Sequence, residues 1–164
     1  MRSHFFRKGL NLEGSRRWRS ARGQNLIEAA VIVPIFLLLT FGLIDFGTVF
    51  YTYLALENGV SQATRYAVTG QQMDDPMNPG QKLPRDQSIR IAMRQATPTL
   101  SIPDSAFSFY DVTKSTAGSG GPGDVIRVSV NYSINLFTPL LRSFFANGQL
   151  SLTVSSTMKN ENYS

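Results

Sequence analysis

RGQNLIEAAVIVP, residues 22–34, decides how this chain is read. An apolar run starts here, and it carries a carboxylate, Glu28, five residues after Gly23. Charge inside a bilayer edge is expensive, about 2.5–3.5 kcal/mol for an acid at mid-membrane and less near the interface. A neutral residue would avoid that cost, so Glu28 calls for a compensating partner or for processing next to it.

Working outward, residues 26–44 read LIEAAVIVPIFLLLTFGLI, with Glu28 as the single charge. At a helical rise of about 1.5 Å per residue, the stretch from Gln24 to Asp45 covers roughly 31 Å, the thickness of a bilayer's hydrocarbon layer. The sequence therefore predicts a transmembrane helix over 24–45. Pro34 lies inside it and removes one backbone donor, which spanning helices tolerate, often with a kink. A cleaved secretory signal would need a short apolar region followed by small residues in an A-x-A arrangement. The run instead ends GLIDFGTVFY.

The chain has 164 residues, a net charge of +5 and no cysteine. Disulfides and thiolate metal sites are thereby excluded. The basic excess belongs to the first 23 residues, where Arg2, Arg7, Lys8, Arg16, Arg17, Arg19 and Arg22 face only Glu13. Basic and acidic residues nearly balance beyond the apolar run. A basic tail before a span is an orientation signal, so residues 1–23 are expected in the cytoplasm and residues 46–164 outside. Trp18 amid the arginines fits the membrane surface and a disordered tail equally well, and nucleic acid is not an expected partner.

Gly23 followed by Gln24-Asn-Leu-Ile-Glu28, basic before and apolar after, resembles a type IV prepilin processing site. The resemblance implies that a membrane-embedded prepilin peptidase cuts between Gly23 and Gln24 and removes residues 1–23. Cutting creates an α-amine at Gln24, wholly or partly cationic at neutral pH. In low dielectric that amine and a carboxylate attract strongly, and pairing offsets the desolvation of each. Glu28 is expected to take the Gln24 amine of a neighbouring subunit and set the register between helices. Residues 42–68, GLIDFGTVFYTYLALENGVSQATRYAV, are similar to the TadE-like branch, minor pilins (pseudopilins) of tight-adherence pilus systems. Gly42, Asp45, Phe46 and Gly47 fit one motif of that family, and Arg65, Tyr66 and Ala67 fit a second, with Thr64 where Ala is common. Ala29 departs from the pattern, which has an aromatic after the glutamate. The ending LSLTVSSTMKNE resembles the family's last strand.

The helix is expected to continue through 46–69, with Phe46, Val49, Phe50, Tyr53, Leu56, Val60, Ala63 and Ala67 as the stripe buried against a head formed by residues 70–164. Gly59 weakens that helix and Gly70 is a natural stop. Asp45 is expected to be a solvated acid at the outer interface. Residues 70–85 read as a loop, in which Asp74 and Asp75 lack the ligand spacing of a calcium site. A short helix is predicted over 86–96, with Ile89, Ala92, Met93 and Ala96 inward and Arg90 and Arg94 facing water. Strands are predicted at 106–112, at 124–136 and after Gly148. The second alternates, with Ile126, Val128, Val130, Tyr132, Ile134 and Leu136 on one face. Leu150, Leu152 and Val154 alternate in the last. Residues 114–124, KSTAGSGGPGD, lack the order of a phosphate loop and read as a flexible connection. Residues 138–148 read as a helical turn, with 140–145 covering the open end of the core; the alternative is an exposed apolar docking patch. The expected fold is α+β and pilin-like: a long N-terminal helix packed on an antiparallel sheet of about three strands.

No active site is legible. His4 is the single histidine and precedes the cut, so no histidine triad or cluster survives in the mature chain. No cofactor, metal or enzymatic activity is expected. The resemblance implies a bacterial inner-membrane protein that is passed into a pilus or primes one, working in assembly or attachment. Its implied partners are the peptidase, other pilin and pseudopilin subunits, the inner-membrane assembly platform and the lipid bilayer. The alternative is an uncut, membrane-tethered binding domain of the envelope.

Overall fold

The structure, a computed structural model, describes residues 16–162, with side chains from residue 23 onward. His4, Arg2, Arg7, Lys8 and the Trp18 side chain lie outside the described residues. The chain divides after Phe41 into two compact units.

Helix α1 is assigned over Arg16–Val68 and passes Pro34 without interruption. It starts before Gln24, where the sequence reading had placed the helix start. Arginine is a good helix former, and nothing in 16–22 breaks a helix. In the first unit the side chains of residues 24–39 are all exposed. This is the one helix among the described residues that is long and apolar enough to cross a membrane, with a mean hydropathy of 2.5 over its most apolar window.

The second unit holds the rest of α1, helix α2 (Arg85–Ala96), strands β1 (Phe107–Asp111), β2 (Thr116–Ala117) and β3 (Val125–Asn135), the single turn α3 (Pro139–Arg142) and strand β4 (Gln149–Lys159). The sheet is antiparallel throughout in the order β2-β1-β3-β4, with Phe109 opposite Val128 and Val130 opposite Val154. The architecture is the expected α+β arrangement, with four strands where about three were expected. The extra strand, β2, is two residues long and pairs Ala117 with Tyr110 and Thr116 with Asp111. Two residues leave no readable alternation.

The core joins Leu56, Val60, Ala63 and Ala67 of α1, Ile89 and Met93 of α2, and Phe107, Phe109, Ile126, Val128, Val130 and Val154 of the sheet. The alternation read in β3 is the observed one: Ile126, Val128, Val130 and Ile134 are buried and Arg127 and Asn131 are exposed. In β4 only Val154 is fully buried, while Leu150 and Leu152 are half-buried, because this strand forms the sheet edge.

The buried stripe of α1 is the one expected at Leu56, Val60, Ala63 and Ala67 and departs from it before Leu56. It runs through Asp45, Thr52, Leu56, Gly59, Val60, Ala63, Thr64 and Ala67, whereas Phe46, Phe50 and Tyr53 are exposed. Threonine can occupy a buried helical position because its hydroxyl bonds back within the helix. Here Thr52 Oγ1 donates to the Thr48 carbonyl at 2.8 Å and Thr64 Oγ1 to that of Val60 at 2.6 Å. Gly59 sits where α1 and α2 touch: a Cβ there would lie 2.4 Å from Thr97 Cγ2 and 3.3 Å from Met93 Cε. The helix stability that glycine gives up permits this close approach.

Arg90 and Arg94 do not simply face water. The Arg90 guanidinium lies 5.3 Å from the centre of the Phe109 ring, and Arg94 lies 5.9 Å from that of Phe107. Arg94 also donates to the Ile102 carbonyl at 3.1 Å and to Asp104 at 2.7 Å. The two aromatic rings of β1 offer a cation a better surface than open solvent on that side.

Candidate functional site

Three places along the chain carry the residues singled out from sequence. At the first, Gly23 is half-buried, Gln24 and Glu28 are exposed, and a Cβ on Gly23 would meet nothing within 4 Å. Leu26, Ile27 and Val31 around Glu28 are 60–72% exposed. Among the described residues nothing pairs with the Glu28 carboxylate. An acid set among outward-facing apolar side chains has to find its counter-charge beyond the described residues.

The second place is Asp45. It is 3% exposed, not the solvated acid expected. Its Oδ1 accepts the Phe137 N–H at 2.6 Å and its Oδ2 the Thr138 N–H at 2.8 Å. Both donors lie in the turn that follows β3, so the carboxylate fastens that turn to α1. The turn is closed further by Arg142, whose Nε donates to the Leu136 carbonyl. Sequence reading missed this because the donors are backbone groups 92 and 93 residues away. The available signal was an acid at the end of an apolar run, and it does not name its partner. The other members of that motif, Gly42 and Gly47, meet nothing within the chain that a Cβ would disturb, and Phe46 is 68% exposed and stacked on Phe50 at 6.2 Å.

The third place is the C-terminal end of α1. Arg65 is exposed, Tyr66 packs half-buried on the core, and Ala67 is fully buried. The last carbonyls of a helix lack partners of their own. Here Ala67 O accepts Arg85 Nη2 at 2.6 Å and the Gly70 N–H at 3.1 Å, and Val68 O accepts the Glu161 N–H at 3.0 Å. Arg85 Nη1 reaches on to the Gly120 carbonyl at 2.5 Å.

That contact leads into the glycine-rich segment, which is a tied loop and not a flexible connection. Asp124 Oδ2 accepts Lys114 Nζ at 2.5 Å and the Gly121 N–H at 2.6 Å. Asn160 Nδ2 donates to Gly121 O at 2.7 Å. The Lys114 ammonium, and after it the Gly121 N–H, hold the Asp124 carboxyl below the usual carboxylate range; Asp124 in turn raises Lys114. The loop requires its glycines: Gly120 has φ +62°, and a Cβ there would lie 2.9 Å from Ile126 Cγ2.

The residues read as a cover for the core, 140–145, do not cover it. Leu140, Phe144 and Phe145 are 53%, 75% and 38% exposed, as is Phe137 at 65%. Leu136, one residue before this turn, closes the core at 3% exposure and leaves the segment beyond it outside. Among the described residues, no group of three or more His, Cys, Asp or Glu side chains gathers in a way that would hold a metal.

The arrangement is one of surfaces and fasteners. Residues 23–65 match the family described as TadE-like protein. The match runs from Gly23 to Arg65, so it contains the Glu28 site and the Asp45 motif and stops just short of Tyr66 and Ala67. It bears out the resemblance to TadE-like proteins read from those residues. No curated protein and no solved structure matches the chain.

Proposed function

We propose that this chain is a minor pilin-like subunit of a tight-adherence pilus, made as a precursor, cut between Gly23 and Gln24 by a prepilin peptidase, and used in pilus assembly or surface attachment. The precursor sits in the bacterial inner membrane with its basic leader in the cytoplasm and its α+β head outside. The observation that carries this reading is Glu28: a carboxylate that finds no counter-charge among the described residues, five positions after Gly23, in a segment that matches TadE-like proteins.

Each residue has a role in this account. The leader's arginines fix orientation and present Gly23 to the peptidase. Gly23 offers no side chain to obstruct the cut. The freed Gln24 amine of one subunit pairs with Glu28 of the next, and the pair selects one axial register, because any other offset leaves both charges unpaired in lipid. The exposed Phe46, Phe50 and Tyr53, at helical spacing, supply apolar surface for other pilin and pseudopilin helices on the outer side. The head folds on its own fasteners at Asp45 and at Ala67–Val68 and so stays intact while the helix changes surroundings. The assembly platform of the inner membrane handles the processed chain.

The test is Glu28→Ala, with Glu28→Gln beside it, expressed in cells that make the pilus. Cleavage is expected to proceed in both while incorporation into pili falls sharply. Normal incorporation of Glu28→Ala would refute the registry role.

A further inference from the structure

We infer that residues 137–145 form a second membrane contact, an interfacial foot with which the head rests on the outer surface of the bilayer. The inference rests on the reading of residues 24–45 as membrane-spanning, and it concerns a part of the chain that the TadE-like match does not reach.

Among the described residues outside α1, the large apolar side chains that stand exposed are Met77, Tyr110, Val112, Phe137, Leu140, Phe144 and Phe145. The first three are scattered, but the other four fall within nine consecutive residues. Isolated exposed apolar residues are ordinary, whereas a contiguous apolar patch marks a surface that is covered in use. The rest of the head's outer surface has a different chemistry. The solvent face of β3 and β4 is a ladder of Asn131–Thr153 and Ser133–Ser151 hydrogen bonds, with Arg127 bonded to Thr157.

Lipid is the occupant because of where the patch is fastened. Asp45 follows the last residue of the apolar run, so in a spanning chain it marks the outer hydrocarbon boundary. Its two oxygens hold the backbone of Phe137 and Thr138 at 2.6 and 2.8 Å. The patch therefore begins within hydrogen-bonding distance of a side chain at the bilayer surface. Aromatic side chains are favoured at that depth, and short amphipathic segments bury their apolar side about 5–10 Å into the headgroup region. The segment's one charge, Arg142, is drawn back to the Leu136 carbonyl, away from the tip that carries Phe144 and Phe145. The burial of Asp45 has a use in this arrangement: the carboxylate holds the foot at the level of the membrane.

The natural chain has no cysteine, so single labels are clean. Full-length Phe144→Cys, Leu39→Cys and Ser133→Cys, each carrying a nitroxide, are reconstituted in phosphatidylethanolamine–phosphatidylglycerol vesicles. Collisions with oxygen are compared with those of a water-soluble nickel chelate present on both sides. Position 39 should read as lipid and position 133 as water. At position 144 the oxygen-to-nickel ratio should exceed that at 133 several-fold, towards the value at 39. A water-like 144 beside a lipid-like 39 overturns the foot and leaves the span intact. A water-like 39 overturns the span and the foot with it. A 144 shielded from both reagents overturns the foot in favour of protein, a second copy of the chain if dilution to one chain per vesicle exposes it.

Discussion

Residues 24–39 and the stripe from 52 to 67 belong to the same helix, yet they obtain their stability from opposite sources. The first exposes every side chain, and its apolar surface and its one acid are unsatisfied among the described residues. The second buries Leu56, Val60, Ala63 and Ala67 completely, bonds its buried threonines internally and closes its last carbonyls with Arg85 and Glu161. The head is self-contained. The span is stable only with what surrounds it, first lipid and then, on the proposed function, other subunits. A protein that must leave one environment for another benefits from keeping these two accounts of stability separate.

The separation can be broken most forcefully at Asp45. Asp45→Ala strands one buried and one part-buried N–H donor, and hydrogen bonds to a charged group contribute about 1.5–3 kcal/mol each. The head's thermal midpoint in detergent should drop by the equivalent of about 3 kcal/mol or more, with Asp45→Asn losing less because one oxygen remains to accept. The contrasting change is Leu39→Ala in the span, which should leave the head's midpoint where it was. Equal losses from the two sites would abolish the distinction.

Gly59→Ala comes next. Alanine should strengthen an unhindered helix by about 1 kcal/mol. Here the added Cβ meets Thr97 Cγ2 at 2.4 Å, and overpacking typically costs about 1–3 kcal/mol. Net destabilisation in chemical denaturation is expected; a gain would mean that α1 and α2 are not held as close as described. A smaller effect is expected at Arg90→Met, which keeps the apolar stem and removes the charge over Phe109, for a loss of about 1 kcal/mol.

The weakest effect is the pH dependence of the glycine-rich loop. Asp124 is lowered, so its contribution is in full force above the unfolded carboxyl value of about 3.9 and is lost as pH falls through its lower folded value. Lys114 is raised, so its share is complete below about 10.4 and lost only as pH rises through its higher folded value. Amide exchange at Gly121 should stay protected across the neutral range relative to the unfolded chain and open at the acid end. Lys114→Met should shift that acid opening to higher pH, and an unchanged midpoint would remove the lysine from the account.

How much of this was readable follows from where the partners lie. The alternation of 125–135 was legible because one face of β3 is buried and the other wet, which prints a period of two. The helix over 86–96 was legible from its apolar spacing and from Pro98. The buried stripe of α1 was legible at Leu56, Val60, Ala63 and Ala67 but misread before them, because residues 46–54 are apolar on more than one side, and periodicity cannot say which side a head will choose. Phe46, Phe50 and Tyr53 make as good a stripe as the true one, while Thr52 and Thr64 are hidden by their polarity. Glu28 stands out in the sequence because its environment is the apolar run itself, and its role belongs to the proposed function. The role of Asp45 and the tying of residues 118–123 depend on backbone donors and acceptors far away in sequence, which no residue name announces, whereas an exposed apolar patch at 140–145 was legible as the alternative to a core cover.

The central claim is that Glu28 is retained for an amine that cutting after Gly23 creates. The most direct measurement is the intact mass and first residue of the chain extracted from membranes or sheared pili of cells that express the natural protein. The account predicts a chain beginning at Gln24, with a Gly23→Val variant accumulating at full length. A functional protein that still carries residues 1–23 would contradict it.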